Sequence, residues 1–294
     1  MKTISLLSLS NKKGVEVYYP YISFFIDHIE NDKSFVYVKC NHGFWDTLSS
    51  TYANNSSLNK KSTNHKIALG TFPRRRRWYR GLKKWIYLKQ TKEWLKFFRE
   101  YDKQPTNLYV GLSTTNGVGL TTKTNRSSYD LLERLIEPND RFFYHGGLIR
   151  HYCIMGEINE LFNIIHKKKR KIHIIGPYYC KDYSSLFKGP ANHIRVPYKN
   201  GANQIDRILN QLKKDAKEND VVFCSFGQSE VLLVDYCLKN NITLIGAGRA
   251  FDYLLVSAGK AKNSWKKDQF WLKGIPLKLK KEKWTKIIKQ ERNK

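Results

Sequence analysis

The chain has 294 residues, enough for one large α/β domain or two small ones, and its composition is 41% hydrophobic and 14% aromatic. This composition supports a sizeable core and excludes a wholly disordered chain. Lys and Arg total 53 against 25 acids, a formal net charge of +28. Such a charge favours polyanionic partners, although an AT-rich genome would also enrich lysine without any binding role.

Two features of the sequence predict a cytoplasmic protein. No run approaches the roughly 18 apolar residues of a membrane-spanning helix, and the apolar run at the N-terminus is too short for a secretory signal. The five cysteines form no CxxC pair, and their odd number argues against a disulfide framework. We expect buried thiols in a reducing compartment: the cytoplasm, including the inner face of the membrane, or the host cytoplasm if the chain is viral.

Strand-like and helix-like segments alternate along the chain. The predicted strands are 35–40, 108–112, 142–144, 171–176, 193–196, 220–226 and 242–246. The predicted helices are 128–136, 147–166, 202–217 and 230–240. Continuous apolar strands between helices predict an α/β fold with a Rossmann-like, mostly parallel sheet and helices on both faces. Ligands of such sheets bind beyond the carboxyl ends of the strands, so the turns after strands are the candidate sites.

Two basic segments, each rich in aromatic residues, interrupt this pattern at 73–101 and 260–294. The first has a near-helical apolar stripe. It is either an insertion helix with a solvated basic face or an arm that binds an anionic membrane or a nucleic-acid backbone. The predicted organisation is a domain at 18–256 with a basic helical insertion at about 58–102, followed by a basic aromatic tail at 257–294.

The first two candidate turns are "KCNHGFWD" and "FFYHGGLIRHY". Their candidate binding residues are Lys39, Asn41, Gly43, His145 and Arg150. Among the eight histidines, His42 and His145 stand out because each follows a strand, although a lone histidine is more often a satisfied polar residue. No pair of histidines has the spacing of zinc ligands.

The later candidate turns are "IHIIGPYY", "VVFCSFGQSE" and "GAGRAF". Their candidate binding residues are Gly176, Gly227, Gln228, Ser229, Gly248 and Arg249. Gly227 allows close approach of a ligand to the backbone, and the helix that follows it favours a phosphate at its N-terminus. Glu230 lies in the first turn of that helix, where the helix dipole explains an acid equally well.

Five segments, in order, resemble the GT-D type glycosyltransferases and their phage and bacterial relatives. "FVYVKCNHGFWDTL" is similar to their first strand, turn and helix, which usually read close to "FVRFNDGEWxxL". "FFYHGGLIRHYCIMGEINELF" with "KIHIIGPYY", "HIRVPYKNGANQIDRIL" and the ending "DVVFCSFGQSEVLLVDYCL…ITLIGAGRAFDYLL" are similar to their later motifs. The resemblance covers about residues 34–255, apart from the basic insertion.

This resemblance implies an enzyme that transfers a sugar from a UDP-sugar-like donor to an acceptor hydroxyl. The family carries two acids in the first turn that serve the metal and the donor, and here His42 and Phe44 stand at those positions. Gly246 replaces a later aspartate of the family, whereas Asp252 matches its trailing acid. The catalytic candidates are therefore His42, Asp252 and Glu230.

The missing acids leave three hypotheses. A metal-independent enzyme would hold the donor phosphates with His42, with cationic side chains such as Lys39, Arg150 or Arg249, and with helix N-termini. His42 would instead be the general base for the acceptor hydroxyl. In the third, catalysis has been lost and the domain binds nucleic acid or an anionic membrane. The leading prediction is a glycosyltransferase without a divalent metal, whose acceptor, a lipid-linked glycan or a modified nucleic acid, contacts the two basic segments.

Overall fold

The computed structural model describes residues 2–5, 16–40, 103–112, 143–197 and 204–257, together with 100, 282, 285, 286, 288 and 289. Several predicted features lie outside these residues. They are the turn with Asn41, His42, Gly43 and Phe44, the basic insertion at 58–102, the helix at 128–136 and most of the tail at 257–294.

A nine-stranded sheet forms the centre of the described part of the chain. Its strands are β1 (Lys2–Ser5), β2 (Glu16–Tyr19), β3 (Val36–Cys40), β4 (Leu108–Leu112), β5 (Phe143–His145), β6 (Ile172–Gly176), β7 (Ala191–Arg195), β8 (Val221–Cys224) and β9 (Thr243–Gly246). Their order is β1-β2-β5-β4-β3-β9-β8-β6-β7, and every pairing is parallel except that of β1 with β2. The predicted Rossmann-like, mostly parallel sheet is confirmed, and β1 and β2 are additions that the sequence analysis missed.

Six α-helices and two 3₁₀ helices connect these strands in the described ranges. They are α1 (Ser23–Glu30), α2 (Leu148–Met155), α3 (Ile158–Lys167), α4 (Ile205–Asp215), α5 (Val234–Lys239) and α6 (Ala250–Ser257), with 3₁₀ helices at Tyr178–Leu186 and Gly227–Leu233. The single helix predicted at 147–166 is wrong, because Gly156 adopts a left-handed φ of 82° and ends α2 there. The helix predicted at 230–240 becomes α-helical only from Val234.

The core has one layer on each face of the sheet. Val36, Val38 and Cys40 point towards α4 and α5, whereas Tyr37 packs with α1, α2, α3 and α6 on the opposite face. Ile288, from the predicted tail, is fully buried in this second layer. All five cysteines are buried and free, as predicted. None of the helices in the described ranges has the length and apolar character needed to span a bilayer.

The two halves of the sheet meet at β3 and β9. β3 pairs with β4 along all of its five residues, but it pairs with β9 only at Val36 and Tyr37. The two strands therefore diverge towards their carboxyl ends. This is the kind of position at which ligands bind in open parallel sheets, because the chain leaves such neighbouring strands in opposite directions.

Candidate active site

A buried carboxylate fills the gap where β3 and β9 diverge. Glu230 extends from the 3₁₀ helix that follows β8, and its Oε1 accepts a hydrogen bond from the backbone N–H of Lys39 at 2.7 Å. This bond satisfies an amide of β3 that β9 does not pair. Gly246, at the end of β9, makes the space available, since a Cβ there would lie 2.9 Å from Cδ of Glu230 and closer still to Oε1. The resemblance places a family acid at Gly246, and here a carboxylate from another element lies against that glycine.

Lys39 lies beside this carboxylate, and it is the first of three cationic side chains whose charges influence one another in turn, with Arg150 and Arg249. Nζ of Lys39 is 3.5 Å from the carbonyl oxygen of Ala247 and passes over Gly248, where a Cβ would lie 2.6 Å from it. Burial and then the neighbouring charge of Arg150 lower the pKa of Lys39 to about 8. Burial also lowers the pKa of Arg150, and Arg249 is close enough to lower it further. The structure thus brings together all three cations that the sequence analysis proposed for a diphosphate.

Asp252 on α6 holds Arg249 in place. Asp252 is fully buried, and its two oxygens accept hydrogen bonds from Nε of Arg249 at 2.6 Å and from the hydroxyl of Tyr183 at 2.5 Å. The guanidinium of Arg249 also lies 5.8 Å from the centroid of the Tyr179 ring. Burial raises the pKa of Asp252, and the charge of Arg249 opposes that rise. The carboxylate of Asp252 therefore orients a cation, and a catalytic role for Asp252 stays a prediction.

The balance of charge at this site is positive. Burial raises the pKa of Glu230 to about 7, and the charge of Lys39 only partly opposes the rise. Among the described residues, the site holds three cations, Lys39, Arg150 and Arg249, against the two acids Glu230 and Asp252, so positive charge is in excess. A half-buried cluster with excess positive charge favours an anionic ligand, because the ligand supplies the charge that the protein lacks.

The described residues do not suit a divalent metal ion. Among them, no three His, Cys, Asp or Glu side chains converge to hold a cation. Both oxygens of Asp252 and one oxygen of Glu230 already accept hydrogen bonds. Hard divalent ions require several oxygen ligands, and the ammonium of Lys39 opposes a second cation here.

His145 is placed inside the protein. It is 2% exposed, and its Nδ1 accepts a hydrogen bond from the N–H of Gly147 at 3.0 Å. Its ring contacts those of Tyr19 and His151, and burial lowers its pKa to about 3. His145 is therefore neutral and shapes the turn after β5, and its predicted contact with a donor stays a prediction.

The remaining predicted residues differ in their surroundings. Gly176 is packed closely, since a Cβ there would lie 2.5 Å from Sγ of Cys180. Gly227 has a left-handed φ of 70° and open space where a Cβ would be, and Ser229 after it is buried. The side chain of Gln228 lies outside what the structure describes. Of these positions, Gly227 best fits close approach by a ligand.

Comparison with known proteins supports the architecture. No protein-family model and no curated protein matches the chain. A solved structure described as a new glycosyltransferase (DUF1792) from Streptococcus sanguinis is similar to it, with a TM-score of 0.51, 12% sequence identity and coverage of 84% of this chain and 87% of that chain. The two chains share a fold. A second structure, described as a domain of unknown function 1792 with a distinct glycosyltransferase fold, matches with a TM-score of 0.47 and 16% sequence identity. The match covers 80% of this chain and 79% of that chain.

Replacing Glu230 by glutamine is expected to remove a pH-dependent loss of stability. Because the pKa of Glu230 is raised from 4.5 to about 7, the folded protein holds a proton there that the unfolded chain has released between these values. The stability from this proton is present at low pH and is lost as the pH rises through 7. We therefore expect the free energy of unfolding of E230Q, measured with urea, to rise relative to that of the wild type as the pH increases. Between about pH 5 and about pH 7.5 this relative gain should be on the order of 2 kcal/mol.

The matched control for this comparison is the exposed Glu30 on α1. Because the side chain of Glu30 is exposed, E30Q should change the free energy of unfolding by no more than about 0.5 kcal/mol. A difference between E230Q and the wild type that does not change with pH would show that Glu230 holds no proton near neutrality.

Proposed function

We propose that the chain is a glycosyltransferase that transfers a sugar from a nucleotide-sugar to an acceptor hydroxyl without a bound metal. The observation that supports this most is the convergence of Lys39, Arg150 and Arg249 where β3 and β9 diverge. A departing nucleoside diphosphate gains negative charge in the transition state, and fixed cations at that point stabilise it. The fold, shared with a structure described as a glycosyltransferase, is compatible with this reaction.

The proposed reaction is a displacement at the anomeric carbon of the donor. The acceptor oxygen forms a bond to that carbon, the bond from the carbon to the β-phosphate oxygen breaks, and the nucleoside diphosphate leaves with the electron pair. The positive charges of Lys39 and the two arginines stabilise the negative charge that develops on the departing oxygen. The acceptor proton passes to a general base, for which His42 is the candidate, because imidazole has an ordinary pKa of about 6.5.

In this proposal the two buried acids position the cations. Glu230 fixes the end of β3, and with it Lys39, while Asp252 fixes Arg249 through a direct ion pair. Neither carboxylate needs to touch the donor. Their substitution should therefore weaken donor binding through misplaced cations.

The proposed acceptor follows from charge. The two basic segments at 73–101 and 260–294 would attract a polyanionic acceptor, either a lipid-linked glycan at the inner face of a membrane or a nucleic acid. Salt dependence separates these acceptors from a neutral glycan, since phosphate contacts weaken steeply as salt rises.

A thermal-shift screen with nucleotide-sugars tests the proposed function. At a donor concentration about 100-fold above its Kd, binding should raise the melting temperature by several degrees. Slow hydrolysis of the same nucleotide-sugar would support an enzyme, whereas binding without any turnover would favour the alternative of a binding module with this fold. If no nucleotide-sugar or nucleoside diphosphate shifts the melting temperature, the proposal is wrong.

A further inference from the structure

An exposed tyrosine lies at the same edge of the sheet as the cation cluster. Tyr178 is 65% exposed and follows Gly176 and Pro177 at the end of β6. Among the large hydrophobic side chains of the described residues, only Tyr21 shares this degree of exposure. Single exposed apolar residues are common, so the neighbours of Tyr178 decide what it can do.

A guanidinium covers one face of this ring. The guanidinium of Arg195 lies 5.3 Å from the centroid of the Tyr178 ring. Arg195 ends β7, where it is the partner of Gly176 in the parallel register, and Arg207 donates a hydrogen bond to its carbonyl oxygen. The backbone at Arg195 is therefore held both by the pairing of β7 with β6 and by the hydrogen bond from Arg207. The pair forms a small platform that is both aromatic and cationic.

The spacing within the platform decides which face of the Tyr178 ring a planar ligand would stack on. A planar group between the ring and the guanidinium would need two layers of about 3.5 Å each, which is more than the 5.3 Å available. Because Tyr178 is 65% exposed, a ligand ring would instead stack on the face of its ring opposite Arg195. Every nucleobase offers a π-face for such stacking, and a nearby cation adds attraction for an attached phosphate.

The platform is continuous with the cation cluster. Tyr179, the next residue, lies under Arg249, and Arg249 is bound to Asp252. The ends of β6 and β9 are separated by β8 alone, so they lie about 10 Å apart at the usual strand spacing. A nucleoside diphosphate could therefore place its base at Tyr178 and its phosphates beside Arg249.

We infer that Tyr178 and Arg195 form the nucleobase subsite of the donor, with Lys39, Arg150 and Arg249 holding its diphosphate. This inference rests on the proposed function and adds a position for the nucleoside. Stacking on tyrosine tolerates every base, so the platform contributes affinity for the nucleoside and little choice among bases.

The test compares Tyr178→Ala and Tyr178→Phe by calorimetric titration with UDP, GDP and inorganic pyrophosphate. Loss of the ring should weaken nucleoside diphosphate binding at least about fivefold, whereas pyrophosphate affinity should stay within about twofold of the wild type. Tyr178→Phe should keep nearly the full affinity for UDP because it retains the aromatic face. Tyr21→Ala is the matched control, since Tyr21 follows β2, six strand positions away across the same sheet.

The outcomes separate this inference from the proposed function. If the wild type binds neither UDP nor GDP, the proposed function and the nucleobase subsite both fail. If the wild type binds UDP and Tyr178→Ala binds it equally well, the subsite is wrong and the proposed function stands. If Tyr178→Ala weakens the binding of pyrophosphate as much as that of UDP, Tyr178 contributes to binding of the diphosphate and not of the base. That result would also overturn the inference.

Discussion

Replacing Lys39 by methionine is expected to lower kcat/KM for nucleotide-sugar turnover by about 100-fold or more. Methionine keeps an unbranched chain that can pass over Gly248, but it removes the charge that lies among Ala247, Arg150 and Glu230. The lowered pKa of Lys39 shows that the fold disfavours its charged form. We therefore expect the melting temperature to be kept while activity is lost, which separates a ligand-binding role from a structural one.

Lys33→Met is the matched control for this substitution. Lys33 is exposed and precedes β3, so it lies at the opposite edge of the sheet from the cation cluster. Its substitution should leave kcat/KM within about twofold of the wild type. Retention of wild-type kcat/KM by K39M would show that Lys39 is not part of the donor site.

Replacing Gly246 by alanine is expected to reduce the free energy of unfolding by about 3 kcal/mol. The new Cβ would lie 2.9 Å from Cδ and 3.2 Å from Oε2 of Glu230, with Oε1 closer still. The carboxylate would have to leave the N–H of Lys39, and both groups are in a buried setting where a lost hydrogen bond is costly. Urea unfolding of the wild type and G246A measures this effect.

A double-mutant cycle identifies the cause. In an E230A background the carboxylate is absent, so G246A should cost less than about 1 kcal/mol, and the two substitutions should couple strongly. Gly189→Ala is the matched control, because the nearest atom to its Cβ would be 3.8 Å away, in ordinary contact, and its effect should stay within about 0.5 kcal/mol. Additive effects of G246A and E230A would contradict the contact.

The parallel strands could be predicted from the sequence because their apolar runs are continuous. The predicted strand at 108–112 coincides with β4, and the one at 35–40 differs from β3 by one residue. β1 (KTIS) and β2 (EVYY) were not predicted, because neither has a continuous apolar run like the VVFC of β8. The end of α2 at Gly156 could not be predicted either, because Gly156 lies within an apolar pattern that continues on both sides.

The candidate site could be predicted in part. The rule that ligands bind after parallel strands selected Lys39, Arg150 and Arg249, and the structure brings these three together. The same rule selected His145 and Gly176, whose surroundings are packed, because a turn sequence does not show which atoms face the core.

The contact between Glu230 and Gly246 could not be predicted from the sequence. An acid in a first helical turn is explained by the helix dipole, and only the pairing of β8 with β9 brings Glu230 against Gly246. A glycine at the end of a buried strand, at a position where the family that the sequence resembles carries an acid, was the one available signal.

Calorimetric titration of UDP measures whether protein cations hold the donor diphosphate in place of a metal. The titration is performed on the wild type in EDTA and again in saturating Mn²⁺. We expect Kd values that agree within about threefold, because Lys39, Arg150 and Arg249 supply the positive charge in both cases. Binding that is seen only when Mn²⁺ is present would contradict it.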